Sequence, residues 1–114
     1  MTQEERRSNR FDTLHLSCVQ VDKDDSVIFE GMGRTLNVSK DGILLEIVCD
    51  QSLSGHIVLW IALEDDLVVF SGNIVHCDFK KLRLYHVGIE FLKISEKAAM
   101  TLDKFIKVFE EQSS

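Results

Sequence analysis

The sequence predicts an all-β domain, a barrel of six antiparallel strands with one carboxyl-terminal α-helix, on two observations. From Thr13 to Leu92 apolar residues recur with period two and β-branched and aromatic side chains are enriched, as in half-buried antiparallel strands. At the carboxyl end the period changes: Ala98, Leu102, Phe105, Ile106 and Phe109 fall at helical spacing, with Lys97, Asp103, Lys104, Lys107, Glu110 and Glu111 mostly on other faces. A chain of 114 residues suffices for one domain that buries roughly two thirds of its unfolded surface, and is too short for two.

The first strand reads as Leu14, Leu16 and Cys18 alternating with His15 and Ser17, closed by the acidic turn Asp22-Lys23-Asp24-Asp25. Val27 to Asn37 restarts the pattern, and Gly42 to Val48 is a short, strongly apolar third strand. His56 to Leu63, Leu67 to Asp78 and Leu82 to Leu92 follow, with Glu64-Asp65-Asp66 and Phe79-Lys80-Lys81 as turn candidates short enough for hairpins. Ser95 is the expected N-cap of the helix, and Glu96 favours its positive end. Laid over the barrel, the helix leaves few free strand edges; its alternative is to face a partner. The segment 1–12 lacks apolar periodicity and reads as a flexible arm, and 13–114 as the barrel with its helix, a single domain.

Composition excludes several functions. With 45% hydrophobic and 28% charged residues the chain falls in the ordinary globular range. A net charge of -6 argues against a protein that wraps a nucleic acid polymer, since such binding neutralises many phosphates with Lys and Arg. The longest apolar run, Ile57 to Leu63, is well short of the ~20 residues that span a bilayer, so no membrane insertion is expected. The polar start Met1-Thr2-Gln3-Glu4-Glu5-Arg6-Arg7 has no apolar stretch behind it, and a cytoplasmic location is expected. Cys18, Cys49 and Cys77 form no CxxC pair and are expected as buried free thiols.

Two polar segments remain once the strands are assigned. In Arg6-Arg7-Ser8-Asn9-Arg10, arginines four apart supply planar forks of donors that meet phosphate bidentately, grip the O6 and N7 edge of guanine, or stack on a purine. In Asn37-Val38-Ser39-Lys40-Asp41-Gly42, which interrupts two strands, Asn37 offers donor and acceptor to a base edge and Ser39 a hydroxyl to phosphate. Gly42 permits a close backbone approach or a positive φ. The bland readings are a solvated tail and a plain turn. Arg34 and Lys40 either add positive potential nearby or are simply solvated. Asn37-Val38-Ser39 also matches a glycosylation sequon, which means little without a secretion signal. His15, His56, His76 and His86 match no metal-ligand spacing with the cysteines and read as surface or core residues of strands. Trp60 and Tyr85 read as core or barrel-surface residues. No histidine is placed with Ser39 and Asp41 to build a hydrolytic centre, so no catalytic residues, metal or cofactor are assigned.

Arg6-x-x-x-Arg10 followed by Asn37-x-Ser39-x-x-Gly42 resembles the two-part signature of PilZ domains, RxxxR and D/NxSxxG. Val87-Gly88-Ile89-Glu90-Phe91 is similar to the hydrophobic-glycine-x-x-phenylalanine strand that many members carry before the final helix. The resemblance covers essentially the whole chain. It implies a six-stranded PilZ-like barrel with an arginine-bearing arm that folds over the bacterial second messenger cyclic di-GMP, and a non-catalytic sensor that signals to a protein partner in motility, biofilm or envelope regulation. Carried over by position, Arg6 and Arg10 would contact phosphates and guanines, Asn37 a guanine edge and Ser39 a phosphate, while Gly42 would shape the turn. Glu5 stands where many members place a further basic residue; Arg7 is adjacent, but neighbours in an extended segment point to opposite sides. The alternative is a PilZ-like barrel that no longer binds nucleotide and serves as a protein-binding adaptor.

Overall fold

The computed structural model describes residues 16–63 and 66–113. Six strands follow in order: β1 (Leu16–Lys23), β2 (Ser26–Val38), β3 (Gly42–Val48), β4 (His56–Leu63), β5 (Asp66–Lys81) and β6 (Leu84–Phe91), then the helix α1 (Glu96–Ser113). All neighbours are antiparallel, and the order β1-β2-β3-β6-β5-β4 closes on itself, because β1 pairs with β2 on one side and with β4 on the other. Closure removes exposed edges that would otherwise template aggregation.

Inward positions alternate with outward ones through the regular parts of the strands. Val19 and Val21 of β1, Ile43, Leu45 and Ile47 of β3, Ile57, Leu59 and Ile61 of β4, Phe70 of β5, and Val87 and Ile89 of β6 fill the interior. Each such side chain stabilises the fold by roughly 1.5–3 kcal/mol relative to exposure. Ala98, Leu102, Phe105 and Phe109 of α1 join the same core, so the amphipathic helix is spent on its own barrel. Its start is capped as the sequence predicts: the Ala98 amide donates to Ser95 Oγ at 3.1 Å.

Two tight hairpins organise one end of the barrel. Asp24 and Asp25, with φ of 53° and 64°, form the two-residue turn between Lys23 and Ser26. Positive φ at both central residues matches the right-handed twist of the flanking strands, and aspartate tolerates it. The second turn is Leu82 and Arg83, between the paired residues Lys81 and Leu84. Arg83 takes φ of 64° while its Nε donates to Asp50 Oδ1 at 2.8 Å and its carbonyl accepts from the Cys49 amide at 3.1 Å. Those two tethers offset the cost of the left-handed backbone.

Several expectations need correction. β5 runs through Phe79-Lys80-Lys81, which was the predicted turn; the strand stays in the ladder with an irregularity between Phe79 and Lys81. The apolar alternation at the head of β1 has the opposite phase: Leu16 and Cys18 face out, while Ser17, Val19 and Val21 face in. Cys18 is therefore exposed, Cys77 is half-buried, and only Cys49 is fully buried. Burial pushes the Cys49 thiol pKa up, against a hydrogen bond to the Gln51 carbonyl. Trp60 is a half-buried residue of the outer wall, opposite Cys18 and Val69.

Candidate functional site

The second polar segment is partly strand and partly hairpin. Asn37 and Val38 belong to β2, and residues 39–41 form the turn into β3. Asn37 owes its orientation to a β-bulge. Thr35 pairs with Leu45 and Asn37 with Leu44, so Leu36 is an extra residue in the ladder. Strict alternation from buried Thr35 would send Asn37 to the interior; the bulge turns it outward instead.

A second bulge does the same on β5. Ile74 pairs with Ile89 and His76 with Gly88, leaving Val75 as the extra residue. Ile74 packs against the core, and His76, two residues later, is carried to the outer wall with its side chain 50% exposed. The two bulges stand at either end of one cross-strand row, Asn37, Leu44, Gly88, His76, on β2, β3, β6 and β5. At about 4.8 Å per strand the row is about 14 Å long.

This row and the hairpin beside it line a shallow depression of about 260 Å³ that includes Asn37, Ser39, Gly42, Val75, His76 and Gly88. Three sequence-predicted residues, Asn37, Ser39 and Gly42, are thus brought together. Ser39 is held by its turn: its amide donates to the Gly42 carbonyl at 2.9 Å, and its Oγ accepts from the Asp41 amide at 3.3 Å. Because Oγ acts there as an acceptor, its proton remains available to an incoming oxygen. The Asn37 amide makes no side-chain hydrogen bond among the described residues. Both groups are exposed.

Gly42 serves close approach rather than positive φ. A Cβ there would collide with the Ile89 carbonyl oxygen on β6, the strand it pairs beside. The hairpin is drawn onto the wall by that contact and by the Phe91 amide, which donates to the Asp41 carbonyl at 2.8 Å. Gly88 has an analogous reason. A Cβ there would fall on His76 Nε2, with Cδ2 and Cε1 at 2.5 and 2.6 Å, the spacing of a ring lying flat over the glycine. His76 Nδ1 in turn lies 3.1 Å from Asp78 Oδ2. His76 is a surface residue of a strand, as the sequence predicts; its bulge is invisible to a period-two pattern.

The next outward row is electrostatic. Arg34 NH2 and Nε contact Glu46 Oε1 at 3.0 and 3.3 Å, and His86 Nε2 lies 3.2 Å from Glu46 Oε2. Burial raises the Glu46 pKa, but the hydrogen bonds from Arg34 and His86 and their charge outweigh it, holding the carboxyl below its ordinary value. Arg34 is therefore engaged with Glu46 rather than free to add positive potential to the depression. Lys40 is exposed on the hairpin. Arg6, Arg7 and Arg10 lie outside the described residues.

Fold and site together define a class: a small closed antiparallel barrel that carries, on its outer wall, a shallow polar floor beside a tightly held hairpin. The chain matches the family model of the PilZ domain over residues 4–107, and it belongs to the PilZ domain family. PilZ domains are a bacterial family of cyclic di-GMP-binding receptors known as non-catalytic effectors. The matched span includes both arginines of the first motif and all of the second. No match is found among curated proteins. No helix among the described residues is long and apolar enough to cross a membrane.

Proposed function

We propose that this chain is a non-catalytic cytoplasmic receptor for cyclic di-GMP that signals its occupancy to a protein partner in motility, biofilm or envelope regulation. The observation that carries the reading is the convergence of the Asn37 amide, the Ser39 hydroxyl and Gly42 on one floor, with the Asn37 amide and the Ser39 hydroxyl proton unspent. Asn37 reads a guanine edge and Ser39 donates to a phosphate oxygen. A depression of about 260 Å³ is smaller than the roughly 300–1,000 Å³ of pockets that enclose a ligand. The floor needs a cover, and Arg6 and Arg10 supply it, with Arg7 as a secondary contact. Leu16 pairs with Arg34, three residues before Asn37, and six residues of extended chain from Leu16 to Arg10 reach at most about 20 Å. Folding the arm over the ligand presents a new surface to the partner.

Thermal melts test the reading. A ligand that binds only the folded state stabilises it by about 2.7 kcal/mol at a hundredfold excess over Kd. Cyclic di-GMP should raise the melting temperature where GMP and linear pGpG do not, and Asn37→Ala and Ser39→Ala should shrink the rise while melting normally without ligand. An absent rise would favour the adaptor that has lost nucleotide binding; an undiminished rise in both variants would move the site elsewhere.

A further inference from the structure

We infer that the hairpin joining β5 to β6 is a docking tip for an anionic lipid bilayer, a site apart from the candidate nucleotide floor and independent of the receptor reading. The tip joins apolar surface to positive charge in a chain of net charge -6. Leu82, in the turn, is 86% exposed, more than any other large hydrophobic residue among the described ones, and Phe79 is 63% exposed. Phe79 stands edge-on to the Tyr85 ring, centroids 5.8 Å apart, which props it at the rim of the barrel. Val48, exposed as well, pairs with Leu84 at the base of the hairpin and widens the apolar surface. Lys80 and Lys81, both exposed, lie between Phe79 and Leu82. Among the described residues neither lysine has an ion-pair partner, whereas Arg34 is engaged with Glu46 and Arg83 with Asp50.

Apolar side chains on a turn, with free lysines among them, match the boundary between headgroups and acyl chains. Leu82 and Phe79 pass below the phosphates, while the lysine stems lie along them and hold their ammonium groups among the anionic headgroups. A protein partner would have to supply a pocket shaped to a convex tip; a fluid bilayer closes round it without one. Topology keeps the most acidic turn aside. In the closed strand order the β5–β6 junction is diametrically opposite the β1–β2 junction, beside which Asp22, Asp24 and Asp25 gather. The candidate floor also stays in water. From Leu82 back to His76, at its near end, six residues of strand span about 20 Å, further than the roughly 5–10 Å to which interfacial apolar faces sink. The contact is peripheral, since no helix among the described residues is long and apolar enough to cross a membrane.

Cosedimentation of the full chain with lipid vesicles, at low and at physiological salt, tests the tip. Phosphatidylcholine vesicles are compared with equimolar phosphatidylcholine–phosphatidylglycerol vesicles. The wild type should bind the anionic vesicles, lose affinity as salt rises, and leave the neutral vesicles unbound. The double variant Lys80→Gln, Lys81→Gln should bind about 25-fold more weakly, because each cation contributes about fivefold near an anionic surface. Leu82→Asp should weaken binding by about tenfold or more, and at so exposed a position it should melt like the wild type. The triple variant Arg6→Gln, Arg7→Gln, Arg10→Gln should retain binding, which separates the tip from the first motif. No binding of the wild type to anionic vesicles at low salt, undiminished binding by Leu82→Asp, or loss only in the triple arginine variant overturns the proposal. None of these outcomes bears on cyclic di-GMP binding, so the receptor reading stands or falls separately.

Discussion

At Glu46 a carboxylate that burial alone would disfavour is kept ionised by the two partners that converge on it, Arg34 and His86. Its folded-state pKa lies below the ordinary 4.5, so the group binds its proton less readily in the native state than in the unfolded one. The stabilisation this provides is fully present above the unfolded value and is lost as pH falls from about 4.5 through the lower folded value. Glu46→Gln should therefore be less stable than the wild type in urea melts at pH 7, and the difference should vanish toward pH 3. A difference that persists at pH 3 would assign the loss to packing instead. The same pairing commits Arg34, close in sequence to Asn37, to the structure of the wall. Ser39 shows the converse economy: its turn uses the hydroxyl as an acceptor and so spares the proton.

At the scale of strands and turns, the site is made by irregularities. The bulges at Leu36 and Val75 each reverse the inward-outward phase once, and each reversal delivers one polar side chain, Asn37 or His76, to opposite ends of a single row. At Gly42 the hairpin between β2 and β3 meets β6 backbone to backbone, so Gly42→Ala should force the β3 backbone away from the Ile89 carbonyl. The expected cost is about 1–3 kcal/mol, read as a lower urea midpoint, together with weaker ligand binding as Ser39 is displaced. An alanine variant with an unchanged midpoint would show that the hairpin is not clamped there. This also explains what was legible beforehand. The strands, the terminal helix, its Ser95 cap and the grouping of Asn37, Ser39 and Gly42 follow from periodicity and residue type. The phase of β1 did not, because Leu16 and Cys18 are as apolar as the inward Val19 and Val21. The true β5–β6 turn was missed because Leu82 and Arg83 lack turn chemistry, whereas the lysine pair before them imitates it. The bulges at Leu36 and Val75 were not legible, because an extra residue leaves no trace in an alternating pattern.

For the molecule as a whole, topology brings the closing strand close to the candidate site. β1 closes the barrel against β4 through Cys18 to Asp22, and the same strand begins beside Arg34, close to the hairpin that carries Ser39. The helix returns along the core from the end of β6, leaving the Asn37-to-His76 wall uncovered among the described residues. Under the proposed reading the barrel holds the floor, and Arg6, Arg7 and Arg10 are the residues that would answer to ligand. Because the floor is shallow, the account requires that affinity depend on those arginines and that the fold not depend on them. Isothermal titration of cyclic di-GMP into the wild-type chain and Arg10→Ala tests this most directly. Saturable, selective binding that is lost in Arg10→Ala, with an unchanged ligand-free melt, is the predicted result. Absence of heat with the wild type at high ligand concentration, or full binding by Arg10→Ala, would contradict it.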